Sequence, residues 1–134
     1  MKLPTEFLEF YNATFEFIQD NLGGQEDYKE YCEKILPILV QDLKQKVEKN
    51  GLNGAFEYWT KLGADEGGIW NLRITEEQLE IIIELCPTMW KIKTCDNYCK
   101  HCKWMYGKLF RDLGYEFEWE KTGDKSCQFI ITEV

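Results

Sequence analysis

Gln78-Leu79-Glu80-Ile81-Ile82-Ile83-Glu84-Leu85-Cys86 places Leu79, Ile81, Ile83 and Leu85 on one side of an extended chain and Glu80, Ile82 and Glu84 on the other. A repeat of two residues marks a strand with one buried face. Pro87 ends it. Just upstream, Ile69-Trp70-Asn71-Leu72-Arg73-Ile74 is short and β-prone, and Thr75-Glu76-Glu77 is short enough to join the two strands as an antiparallel hairpin. The turn lacks an Asn-Gly pair, so a helix starting at Glu76 is the competing reading.

Working outward, Lys91-Ile92-Lys93-Thr94 connects to a helix expected over residues 95–113, closed by Gly114. A second hairpin follows, with arms Tyr115-Glu116-Phe117-Glu118-Trp119-Glu120 and Ser126-Cys127-Gln128-Phe129-Ile130-Ile131-Thr132 around the polar turn 121–125. Toward the N-terminus, apolar residues at three- and four-residue steps predict a helix over residues 3–21. A second helical pattern covers residues 26–50, bent or divided by Pro37, which lacks the backbone donor its position would supply. A short helix over residues 55–62 leads into the glycine-rich loop 63–68, flexible enough to serve a site. The sum is an α+β fold: an antiparallel sheet of about four strands, in two hairpins, packed against N-terminal helices and one cysteine-bearing helix. The 134 residues suit a single domain, 1–134, with a helical region over residues 1–50 and a sheet with the cysteine helix over residues 51–134.

Eight Phe, seven Tyr and five Trp supply ample core material, which excludes wholesale disorder. The formal net charge of −8, without a basic stripe, excludes nucleic acid as a partner and disfavours anionic lipid surfaces. No apolar run approaches the roughly 20 residues of a membrane helix. The start, Met1-Lys2-Leu3-Pro4-Thr5-Glu6, does not read as a secretory signal, so a cytoplasmic protein is expected. The partners left are a small-molecule ligand and further copies of the chain in a homo-oligomer.

Six cysteines, Cys32, Cys86, Cys95, Cys99, Cys102 and Cys127, then read as reduced thiols or ligands rather than disulfides. On a helix turning about 100° per residue, Cys95, Cys99, Cys102 and Tyr106 fall within roughly 60° of one another. Cys86 at a strand end and Cys127 in the last strand could meet the start of that helix. Three chemistries fit. The thiols could simply fill core space. With His101 they could hold zinc or an iron–sulfur centre, Cys86, Cys99, Cys102 and Cys127 being the candidate ligands. Or Cys99 or Cys95, favoured as thiolate by a helix N-terminus, could act as a nucleophile. Cys95-x3-Cys99-x2-Cys102 is also the triplet of radical S-adenosylmethionine enzymes, but those carry it on a loop after an early barrel strand of a much longer chain, which rejects the match. Glu66, in the glycine-rich loop, and Glu84, before Cys86-Pro87, are the candidate proton carriers alongside His101. Trp59, Trp70, Trp90 and Tyr98 either wall a pocket or belong to the core.

Tyr58-Trp59, Glu66-Gly67-Gly68, Cys86-Pro87, Tyr98-Cys99-Lys100-His101-Cys102 and Gly114-Tyr115-Glu116-Phe117, with Gly123-Asp124-Lys125-Ser126-Cys127-Gln128-Phe129, together resemble the L-2-amino-thiazoline-4-carboxylic acid hydrolase-like family over residues 55–132. The closing hairpin also resembles the 4-vinyl-reductase-type small-ligand-binding domain, in which a similar element sits beside zinc in some members. The first resemblance implies hydrolysis of a cyclic C–N bond, with Cys99 or Cys95 attacking, or with metal-activated water, and with Glu66, Glu84 or His101 moving protons. The second implies a non-catalytic ligand- or metal-binding sensor domain.

Overall fold

The computed structural model describes residues 4–134, the side chain of Trp90 excepted. Helices α1 (Thr5–Asn21) and α2 (Gly24–Lys34), a 3-10 turn (Leu36–Val40), α3 (Gln41–Asn50) and α4 (Leu52–Glu66) come first. Strands β1 (Ile69–Ile74) and β2 (Gln78–Leu85) follow, then the short α5 (Pro87–Lys91), α6 (Lys100–Asp112), β3 (Tyr115–Gly123) and β4 (Ser126–Glu133). The strands form one antiparallel sheet in the order β1-β2-β4-β3, so the fold is α+β as expected, with the two hairpins joined where β4 pairs with β2.

Alternation along each strand gives the sheet one packed face and one solvated face. The pairing aligns three rows on the packed face: Trp70–Ile83–Cys127–Lys121, Leu72–Ile81–Phe129–Trp119 and Ile74–Leu79–Ile131–Phe117. The opposite face carries Glu80, Glu84, Glu116, Glu118 and Glu120. Against the packed face lie Trp59 of α4 and Phe110 of α6, stacked at 5.8 Å between ring centroids and both fully buried. Phe15 and Tyr28 extend this core into α1 and α2, their rings 5.0 Å apart.

Three elements differ from the sequence expectation. Pro37 divides the second helical stretch, and the divider is a 3-10 turn with the proline in its first turn, where the missing donor costs nothing. Helix α4 is longer than expected at both ends. Its Gly54 lets α3 approach so closely that a side-chain carbon there would collide with the Lys46 carbonyl, and its last turn absorbs most of the anticipated glycine-rich loop. Only Gly67 and Gly68 remain outside, both with positive φ, and they turn the chain into β1. Finally, α6 begins at Lys100 rather than at Cys95. Asn97 adopts φ 63°, and the preceding backbone is held by tertiary bonds: Asn12 Oδ1 accepts from Cys95 N at 2.6 Å, and the Tyr28 hydroxyl donates to the Asn97 and Tyr98 carbonyls at 3.0 and 3.1 Å. Asparagine is among the few residues that tolerate that conformation.

Candidate functional site

The row Trp70–Ile83–Cys127–Lys121 stops short of the helices, and a cavity of about 480 Å³ opens between them. Its volume falls in the range of small-molecule sites. Trp59 and Tyr58 of α4 and Met105 and Tyr106 of α6 form a second wall, while Leu8 and Tyr11 of α1 and Leu39 of the 3-10 turn close the far side. Cys86 enters at the end of β2, where its N–H donates to the Lys125 carbonyl at 2.8 Å and so ties the first hairpin to the tip of the second.

Ionic groups of both signs line this space: Asp42, Asp65 and Glu66 with Lys46, Lys61, Lys121 and Lys125. Lys46 lies 3.7 Å from Asp42, and Lys121 donates to the Asp124 carbonyl at 2.9 Å while facing the Cys99 sulfur at 3.4 Å. Glu66, one of the expected proton carriers, is buried at the end of α4, where Lys91 donates to its carbonyl at 3.1 Å and to its carboxylate at 3.5 Å. Glu84, the other, is exposed on the solvated face of the sheet, opposite to Ile83 and the cavity.

The imidazole, the hydroxyls and the buried thiols of the lining are held in their neutral forms. His101 Nδ1 is 2.6 Å from the Tyr98 carbonyl, and since a carbonyl only accepts, Nδ1 carries the hydrogen and Nε2 is left as an acceptor. The Cys102 sulfur is 3.4 Å from Nε2 and donates its thiol hydrogen there. Burial lowers the His101 pKa to about 4, against a smaller opposing effect of the Tyr98 contact. Burial likewise pushes the Cys102 thiol well up, helped by neighbouring Cys127, Cys86 and Cys99, and carries Cys127 up to about 12. Cys99 is also raised by burial, with Lys121 offsetting some of the shift. The hydroxyls of Tyr58 and Tyr106 are raised for the same reason. Trp119 Nε1 is buried without a full hydrogen bond and leans on the Cys127 sulfur, a weak acceptor.

The expected cysteine centre does not assemble. Cys32 is buried in the helical core, its pKa pushed up to about 12 by burial. Cys95 lies outside α6 and turns toward α1, with Gln19 Nε2 at 3.9 Å from its sulfur, and its thiol is raised by burial first and by Glu16 next. The remaining four thiols all line the cavity and lie near enough to influence one another, but not in a ligand arrangement. Among the described residues no group of three or more His, Cys, Asp or Glu side chains is placed to hold a metal ion. Zinc ligation by Cys86, Cys99, Cys102 and Cys127 is therefore corrected, and so is a cysteine-centred hydrolase. Burial disfavours the thiolate form at Cys99, Cys102 and Cys127, which works against a nucleophile there.

Of the expected pocket walls, Trp59, Trp70 and Tyr98 do line the cavity, and Trp90 lies outside the described side chains. Leu8, Tyr11 and Leu39 were missed because nothing local in a helix says which face meets a distant sheet. Lys121 had a readable signal: the alternation Phe117, Trp119, Lys121 continues onto the packed face. No family model matches the chain, and no curated protein matches it. Among the described residues no helix is long and apolar enough to cross a membrane.

Proposed function

We propose that this protein binds a small, uncharged, largely apolar molecule in the cavity between the sheet and α4 and α6. The supporting observation is the apolar share of the lining: aromatic rings, Ile83 and Met105, with the Cys102 thiol, the Tyr106 hydroxyl and one imidazole held in their neutral forms, while the charged side chains that also line it are of both signs. Such a space rewards apolar area at roughly 25 cal/mol per Å² and penalises an ion that finds no partner. The Tyr58 and Tyr106 hydroxyls are neutral donors available to a polar atom of the ligand.

Matched pairs of probes test it: octanol against octanoate, and methylnaphthalene against naphthoate, followed by quenching of tryptophan fluorescence and by the shift in Tm. Trp59 and Trp70 line the space and supply the signal. The uncharged member of each pair should bind saturably and raise Tm, with the carboxylate at least about tenfold weaker. Absence of saturable binding by both uncharged probes, or equal binding of the anions, would overturn the proposal.

A further inference from the structure

Helix α1 has two apolar faces, and the fold uses one. Leu8, Tyr11, Phe15 and Ile18 attach it to the body. Phe7, Phe10 and Phe17 are left 51%, 65% and 57% exposed. With Thr14 and Asn21 they run in alternating steps of three and four residues, at positions 7, 10, 14, 17 and 21. At about 100° per residue these five fall within a sector of about 80°, the seam by which helices pair. Isolated exposed apolar residues are ordinary, but three phenylalanines along one stripe are a surface awaiting a cover.

Charge says what kind of cover. Every charged residue of α1 is acidic: Glu6, Glu9, Glu16 and Asp20, all exposed. On the helical wheel they occupy one continuous sector flanking the stripe, on the side away from the residues that anchor the helix. We propose that α1 is a docking surface for a helix of a partner protein, one with an apolar stripe at the same spacing and Lys or Arg along the flank that meets Glu6, Glu9, Glu16 and Asp20. A second copy of this chain fits poorly, since it would bring the same four carboxylates to the seam on a helix that has no base to answer them. The partner's apolar residues cover the phenylalanines and supply affinity, while the opposed charges fix orientation and speed encounter.

The test uses a designed helical peptide matched to α1 in length, with leucines on the heptad stripe and lysines on the flanks, and a control with glutamate replacing lysine. By fluorescence anisotropy the lysine peptide should bind saturably and weaken with salt, and the glutamate peptide should bind at least about tenfold more weakly. Phe10→Ser with Phe17→Ser should cost at least about tenfold in affinity with Tm unchanged, because both rings stand in water. Should that pair lower Tm, Glu9→Lys with Glu16→Lys leaves the apolar stripe intact and should shift preference toward the glutamate peptide. The proposal is overturned if the lysine peptide fails to bind, if both peptides bind alike, or if neither substitution pair changes binding. Sedimentation of the protein alone adds a further arm: a dimer dissolved by the serine pair would give the stripe to a second copy instead.

Discussion

His101 Nδ1 sits 2.6 Å from the carbonyl oxygen of Tyr98, and its ring packs 4.7 Å from that of Tyr98 and 5.1 Å from that of Phe15. The imidazole is thus fixed as the neutral tautomer with an acceptor at Nε2. Its pKa falls from 6.5 in the free side chain to about 4 in the fold. Between those values the unfolded chain holds a proton that the folded chain does not, so the contribution to stability is complete above 6.5 and drains away as pH drops toward 4. The whole span is worth up to about 3 kcal/mol. Urea denaturation of the protein and of His101→Gln across that window should show a shallower decline in the variant, and the NMR signal of the ring should report protonation only near the lower limit.

Tyr28 ties the segment before α6 to the helical core through its two hydrogen bonds to the Asn97 and Tyr98 carbonyls. Tyr28→Phe keeps the ring and removes the donor, leaving both acceptors to find other partners. A loss of about 1–3 kcal/mol in urea denaturation is expected, with faster amide exchange over residues 95–99 than elsewhere.

Two of the thiols, Cys32 and Cys127, should prove sluggish. With Cys32 and Cys127 raised from 9.0 to about 12, their thiolate fraction at neutral pH is roughly a thousandfold below that of an ordinary cysteine. Quantitative alkylation followed by mass spectrometry should therefore find both nearly unreactive until the protein is denatured. Lys121→Met should slow Cys99 further, because the ammonium 3.4 Å away is what partly offsets burial there.

Two glycines make a matched test of backbone approach. Gly54→Ala should destabilise by about 1–3 kcal/mol, since the added carbon meets the Lys46 carbonyl, a rigid group of the neighbouring helix. Gly107→Ala in α6 meets chiefly the end of the flexible Arg111 side chain, so the gain in helix propensity, up to about 1 kcal/mol, should survive. Thermal denaturation of the two variants separates the effects by sign.

The sheet was legible because its signal is local: Leu79, Ile81 and Ile83 alternate within a few residues, and the packed rows follow from that alternation. Pro37 announced its break for the same reason. The start of α6 was not legible, since it is decided by Asn12 and Tyr28, which lie 83 and 69 residues from the backbone atoms they bind at Cys95 and Asn97. The site fared likewise. Residue type and helical spacing brought the thiols to notice, but spacing counted from Cys95 presumed a helix that begins five residues later. Whether a sulfur is a thiolate or an inert filler depends on burial by residues from distant elements, which no stretch of sequence around the cysteine records.

The strand order carries a consequence for how the chain is made. β4 comes last yet sits inside the sheet, between β2 and β3. While the ribosome is still working toward Glu133, the first hairpin has an open flank along β2, with Leu79, Ile81 and Ile83 lacking the neighbours Ile131, Phe129 and Cys127. A nascent chain stalled before Ser126 would thus display an adhesive strand border, the kind of surface that chaperones hold and that aggregates recruit.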